Sequence, residues 1–305
     1  MAEQITLAVI GGGIAGLVAA REAAASGATV WHIMGQDVMG GLVANVGVLE
    51  NFSGGEVAGI DLATTLFTDA SEMGVEPVLE DVQDLAVVDN GLALLLGETK
   101  LVVDRVIVAT GARLRRLAVP GASEFEDLGL SYCGWCDGPL HRGKPVVVVG
   151  GGDSALQEAL HLATIASTVT LLVRGDVCKA RPEYVARVRD EPNIDLRLGT
   201  EVVAVLGEVN VTGVHMRKRA TGAEATVACS GLFPFIGLEP ATHMLPPSLA
   251  RTAAGALITN AHLETSIPGI FAAGAVRSGY SGQLDDAIDE ARRAVDSALN
   301  IAASR

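Results

Sequence analysis

Cys133 and Cys136, two residues apart in Ser131-Tyr132-Cys133-Gly134-Trp135-Cys136-Asp137-Gly138, are the pair in this sequence best suited to chemistry. Such a pair can bind a metal, open a redox-active helix, or carry electrons as a dithiol. A structural zinc site needs four ligands. Of the four cysteines, the other two, Cys178 and Cys229, stand single and far off, and His141 is the nearby histidine. No metal is therefore expected. A helix-opening pair of the thioredoxin type would be followed by helical periodicity. Here Asp137-Gly138-Pro139-Leu140-His141-Arg142-Gly143 follows, rich in turn residues. The redox pair is the favoured reading. Asp137 is a candidate acid/base for the proton that dithiol–disulfide exchange moves, although an aspartate before glycine also suits a plain turn.

Two glycine turns flank this pair. Gly11-Gly12-Gly13-Ile14-Ala15-Gly16 fits GxGxxG between a strand pattern and a helix pattern. Gly11 permits the tight turn, Gly13 lets a pyrophosphate approach the backbone, and Gly16 lets helix and strand pack closely. The helix N-terminus then offers unpaired N–H groups to phosphate. The acidic residue expected about 20 positions on is poorly matched, with Asp37 past the strand end. The second turn, Gly150-Gly151-Gly152-Asp153-Ser154-Ala155, has the GxGxxA form. Arg174, Lys179 and Arg181 follow its second strand and suit either a 2′-phosphate or a solvated basic loop. Two dinucleotide sites in one chain imply electron transfer between cofactors, and nicotinamide with flavin is the commonest such pairing.

The elements that must position these residues form an internal repeat. Ile5–Gly16 recurs as Pro145–Ala155, each a strand, a glycine turn and a helix, and each leads into another strand, at 28–34 and 168–174. A β-rich region follows each βαβ unit, with turns at Asp89-Asn90-Gly91, Gly97-Glu98 and Thr221-Gly222. The remaining C-terminal segment ends in an amphipathic helix with Leu284, Ala287, Ile288, Ala291 and Val295 on one face, and is expected to return to the first module. The fold class is thus α/β, with two Rossmann-like dinucleotide-binding domains of three-layer ββα type, one inserted in the other. Their expected bounds are 1–116 with 248–305, and 117–247.

Composition agrees. The 305 residues hold 49% hydrophobic and 19% charged side chains, 36 glycines and 4% aromatics, at a formal net charge of -14. That balance excludes an electrostatic footprint for nucleic acid and a base-stacking platform. No signal-peptide pattern is read at the start, and no apolar run reaches the roughly 18 residues of a membrane span. The expectation is a cytoplasmic protein with no membrane partner.

Taken together, GGGIAG, LENFSGG, IVATGA, CGWCDG, VVVVGGGDSALQEAL, FPFIG and IPGIFAAG, in this order and spacing, resemble the low-molecular-weight thioredoxin reductases over essentially the full chain. The resemblance implies a homodimeric flavoprotein that passes electrons from NAD(P)H, NADPH or NADH, through FAD and the cysteine pair to thioredoxin or a similar disulfide. Carried over by motif, Gly11, Gly13, Ala15 and Gly16 would hold the FAD pyrophosphate. Gly40, Gly41, Glu50, Asn51, Thr110 and Gly111 would lie along FAD, and Gly274, Ala275 and Gln283 near its flavin end. Gly150, Gly152, Asp153, Ser154 and Ala155 would hold the pyridine nucleotide, with Arg174 and Lys179 at its 2′-phosphate. Cys136 would face the flavin, Cys133 would exchange with the partner, and Asp137 would be the acid/base. The chain departs from the family at Ala275, where an aspartate is usual, at Leu42, where glutamine is usual, and at Val173-Arg174-Gly175, where His-Arg-Arg is usual. These departures leave open a relative fed by ferredoxin, one with two flavins, an oxygen-dependent dithiol oxidase, or a non-catalytic redox sensor.

Overall fold

The computed structural model describes residues 5–36, 39–50 and 52–303. The chain divides into two compact units, residues 1–113 with 239–305, and residues 114–238.

In the first unit the strand Thr6–Ile10 reads Thr-Leu-Ala-Val-Ile, buried from Leu7 onward. A strand apolar on both faces belongs in the middle of a parallel sheet. It lies there, third in the order Ile270–Ala272, Arg105–Val108, Thr6–Ile10, Thr29–Ile33, Pro77–Val78. Leu7 and Val9 pack on one side with Leu17, Ala20 and Phe271, while Ala8 and Ile10 pack on the other with Leu85, Leu92 and Leu94. The first side is covered by the helices Ile14–Ala25, Gly59–Glu72 and Leu284–Ala303. The second is covered by the antiparallel strands Val82–Val88, Gly91–Leu96 and Thr99–Val103. This is the ββα layering the sequence pattern implies.

The second unit repeats the plan. Its parallel sheet runs Ile194–Leu198, Thr168–Val173, Pro145–Val149, Gly231–Pro234. Val146 and Val148 face the helices Asp153–Ala163 and Pro182–Asp190, and Val147 and Val149 face the antiparallel strands Thr200–Gly207, Val211–Lys218 and Glu224–Ala228.

The crossings fall earlier than the patterning suggests. Leu245 and Leu249 are buried with Leu257 and Ile270 in the first unit's core, which draws the second crossing back to 238/239 from the expected 247/248. Arg116 pairs with Glu126 and stacks over Tyr132, which draws the first back to 113/114 from 116/117. Among the described residues no helix is long and apolar enough to cross a membrane.

Candidate functional site

In the first unit the turn after Thr6–Ile10 is built for close approach. Gly11 has φ +123°, and its N–H donates to the Ile33 carbonyl at 2.7 Å. A Cβ at Gly16 would stand 1.9 Å from the Gly11 carbonyl oxygen, so only glycine lets the helix meet the turn there. The helix is capped by Gly13, which offers no side-chain acceptor, so its first N–H groups stay available. A Cβ at Gly13 would meet nothing within 4 Å. Gly40, at φ +89°, bridges to Gly13 and donates from N to the Gly12 carbonyl at 2.8 Å, and a Cβ on Gly41 would stand 3.4 Å from Gly13 Cα. These glycines bring an uncapped helix end, open space and bare backbone together, a cradle of the form a dinucleotide pyrophosphate needs.

Gly274, at φ +76°, completes that side: a Cβ added to it would lie 3.1 Å from the Cβ of Ala15. Its N–H donates to Glu290 Oε2 at 2.8 Å, and Glu290, 5% exposed, also pairs with Arg277. Ala275 follows in the same short turn, half-buried. Thr110 Oγ1 donates to the Ala241 carbonyl at 2.7 Å, and Gly111 takes φ +66°. Glu50 and Gln283 are exposed, and near them Ser53 Oγ donates to Asp285 Oδ1, in the first turn of the helix Leu284–Ala303, at 2.5 Å. Asn51 and Asp37 lie outside the described residues.

Two supports of this cradle escape sequence reading. Buried His32 sets Nε2 3.1 Å from the Gly11 carbonyl, and burial lowers its pKa, so a neutral ring props the turn. Glu290 did leave a signal. It is an acidic residue at helical spacing within the buried alanine stripe of Ala287, Ala291, Ala294 and Ala298.

In the second unit a cleft of about 830 Å³ opens over Gly150–Ala155. Gly150 takes φ +144°, and a Cβ there would lie 2.2 Å from the Phe235 carbonyl oxygen. Gly152 caps the following helix without a side-chain bond. Arg174 and Lys179 line this cleft. Arg181 does not. Its backbone N–H and Nε both donate to the Asp153 carboxylate at 2.8 Å, and its guanidinium lies over Tyr184, so it fixes the helix start rather than gripping a phosphate. A third cation comes instead from far along the chain: Arg219, at the end of Val211–Lys218, lines the cleft beside Glu201. Glu201 is held below the usual carboxylate range chiefly by its hydrogen bond to Arg217, at 2.7 Å, with Arg219 3.9 Å away. Nothing local in the sequence marks Arg219, because its place depends on the hairpin's return.

Cys133 and Cys136 form a disulfide. Contrary to the sequence expectation, they do open a helix: Cys133 caps the turn Gly134–Asp137, which runs on into the 3₁₀ turn Gly138–His141. Two short turns hold too few residues to show periodicity, and Pro139 sits near the start of the second, where its missing N–H costs nothing. The Cys136 N–H points to Cys133 Sγ at 3.1 Å, and the Cys133 N–H donates to Ser131 Oγ at 3.1 Å. Cys136 is exposed and Cys133 half-buried. Asp137 borders a recess of about 360 Å³ with Ser131, His141 and Lys144. Trp135 stacks on His161, the ring centroids 3.5 Å apart. Cys178 and Cys229 are free, and burial pushes the Cys229 thiol up to about 12, which makes it inert. Among the described residues no three His, Cys, Asp or Glu side chains converge as a metal site.

Comparison with known proteins agrees with this geometry. The family described as pyridine nucleotide-disulphide oxidoreductase matches residues 5–298. A thioredoxin reductase of Treponema pallidum is 34% identical over 294 residues, covering 96% of this chain and 95% of that one. One of Bacillus subtilis is 33% identical, covering 90% and 88%. The crystal structure of Lactococcus lactis thioredoxin reductase superposes with a TM-score of 0.94 at 29% identity, covering 99% of this chain and 100% of that one.

Proposed function

The chain belongs to the pyridine nucleotide-disulphide oxidoreductases, in the low-molecular-weight thioredoxin reductase family, and from that premise we propose the residues that carry its reaction and the partner that receives its electrons. It is a flavin-dependent disulfide reductase, and the family's cofactors are FAD and NADPH. The donor and acceptor alternatives that the departures left open are not favoured, since relatives above 30% identity over nearly the whole chain are thioredoxin reductases.

The observation that carries the proposal is the Cys133–Cys136 disulfide in a chain with two glycine-turn cradles. The unit of residues 1–113 and 239–305 binds FAD through Gly11, Gly13, Gly16, Gly40, Gly41 and Gly274. The unit of residues 114–238 binds NADPH through Gly150, Gly152, Ser154, Arg174 and Lys179, with Arg219 as a further cation. FAD held in that cradle would supply the redox chemistry that links the electron pair of NADPH to a disulfide. The chain's own work is then thiol chemistry. The Sγ–Sγ bond breaks as it takes two electrons. The thiolate of Cys133 attacks a disulfide sulfur of the partner, and Cys136 resolves the mixed disulfide, which restores the Cys133–Cys136 bond and leaves the partner as a dithiol. Asp137 gives and takes the protons at sulfur.

The partner is a thioredoxin-like protein, the reaction runs in the reducing cytoplasm, and the protein acts as a homodimer. The family relationship supports all three. The test is anaerobic mixing with NADPH and a thioredoxin disulfide. The wild type turns over. Cys136→Ser keeps the bleaching of bound flavin by NADPH and loses thioredoxin reduction. A flavin that stays oxidised with NADPH, or a serine variant that still reduces thioredoxin, overturns the scheme. Light scattering that gives a monomer mass overturns the dimer.

A further inference from the structure

Beneath the disulfide turn lies a carboxyl group that the scheme above leaves unused. Glu158 stands on the helix Asp153–Ala163. A Cβ added to Gly134 would fall 2.3 Å from Glu158 Oε2 and 3.4 Å from Leu162 Cγ, so a glycine inside the CxxC is what lets the carboxyl lie against that backbone. Oε2 is buried and has no hydrogen-bond partner among the described residues. The Gly134 N–H favours the carboxylate and offsets only part of the lost hydration. Burial therefore pushes the group up to about 7. Nearby titratable groups are Asp137 and His141 of the two turns and His161 of the same helix, while Glu183, Arg187 and Arg189 stand on the neighbouring helix. None of these governs Glu158, where burial and the Gly134 N–H decide. The Trp135–His161 stack stands on the same helix and turn.

We infer that Glu158 is a positioning residue of the Cys133–Cys136 couple that holds a proton for it, taking one up when the disulfide is reduced and yielding it when the disulfide re-forms. The inference rests on the reading of this pair as the enzyme's redox couple. Reduction breaks the Sγ–Sγ bond and adds two electrons, which the established activity supplies from NADPH. One proton leaves the couple as a thiol and a thiolate. The new negative charge, one residue from Gly134, raises the proton affinity of Glu158, and a carboxylate there takes up a second proton. Re-oxidation by the partner disulfide removes both electrons and releases both protons.

The test is the midpoint potential of the Cys133–Cys136 couple against pH, read by thiol trapping of the FAD-loaded protein in dithiol/disulfide buffers. Wild type shows a steeper fall of potential with pH starting near pH 7, where Glu158 is ionised in the oxidised state and protonated in the reduced one. Glu158→Gln lacks that steeper segment and coincides with wild type at lower pH, and Glu158→Asp restores part of it. A second readout is the reduced-minus-oxidised infrared spectrum of wild type, with the Cys136→Ser spectrum subtracted to remove the flavin. It shows a gain of protonated carboxyl at pH 8. Identical potential–pH lines for wild type and Glu158→Gln, or no carboxyl gain on reduction, overturn the inference. The buffer sets the redox poise without NADPH, so failure of the electron-transfer scheme leaves this measurement intact.

Discussion

The indole of Trp135 lies flat on the imidazole of His161, the planes 14° from parallel, with Trp135 inside the CxxC and His161 on the helix beneath it. Burial lowers the His161 pKa, and its Nε2 has no hydrogen-bond partner among the described residues. The ring is therefore neutral at pH 7 and gains its proton below 6.5. The folded state binds that proton less well than the unfolded chain, so this site lowers stability as pH falls through 6.5. Protonation sets a cation against the indole face and alters its emission. In a Trp31→Phe background, which leaves Trp135 as the one tryptophan, fluorescence changes through a single step centred below pH 6.5. His161→Gln abolishes it. A step that survives this substitution breaks the link between stack and titration.

The nucleotide cleft yields a separable prediction. Arg219 and Arg174 both line it, and Arg219 leans toward Arg174, its guanidinium 3.4 Å from that residue's carbonyl oxygen. A charge-assisted hydrogen bond contributes about 1.5–3 kcal/mol, which is roughly 10- to 100-fold in affinity. Arg219→Ala and Arg174→Ala each weaken NADP⁺ binding by about that factor, with NAD⁺ changed less than about twofold, as measured by calorimetry. Glu201→Gln removes the carboxylate that neutralises this corner and tightens NADP⁺ relative to NAD⁺. Equal losses for both nucleotides would remove the 2′-phosphate role from these residues.

The two layered sheets could be read from the chain because parallel strands buried on both faces leave unbroken runs such as Leu7–Ile10 and Val146–Val149, and because the strand–glycine–helix motif occurs twice. The cysteine pair was legible as chemistry for a similar reason: its spacing is local. What stayed hidden depends on chain return. Arg219 enters its cleft only through a hairpin, and Arg181 leaves it only because Asp153, distant in sequence, takes its guanidinium. Glu158 sat in plain view within Leu156-Gln157-Glu158-Ala159-Leu160 as an ordinary helix former. Its meaning comes from Gly134, which no periodicity connects to it. The helical character of the CxxC turn leaves no periodic signal, because one turn is shorter than the repeat that would reveal it.

The flavin cradle depends on Glu290 through the backbone of Gly274. One carboxylate oxygen takes the Gly274 N–H and the other pairs with Arg277, all largely buried. Removing one member of a buried pair costs about 3–5 kcal/mol, because the remaining charge is stranded. Glu290→Ala lowers the unfolding free energy by about that amount and lowers flavin per chain in the purified protein. Gly16→Ala tests the opposite side: its Cβ would meet the Gly11 carbonyl at 1.9 Å, so the turn must shift. Flavin content, read from visible absorbance per chain, falls in both. Full flavin occupancy in Gly16→Ala would show that the pyrophosphate lies elsewhere.

Glu158 also predicts how stability varies with pH. Its carboxyl rises from 4.5 to about 7 on folding, with desolvation the main cause. A raised acid favours the folded state only while protonated. Its contribution is therefore complete below pH 4.5 and is lost as pH climbs toward and through 7. A rise of that size corresponds to about 3 kcal/mol at 1.36 kcal/mol per pH unit, and less where the remaining exposure admits water. Glu158→Gln keeps the shape and cannot ionise. In urea unfolding of the oxidised protein, the substitution changes little at pH 4.5 and stabilises by about 2–3 kcal/mol at pH 8, with the difference growing across the interval between. A difference that does not vary with pH would mean that the carboxyl titrates as a solvated glutamate, out of reach of the burial that Gly134 permits.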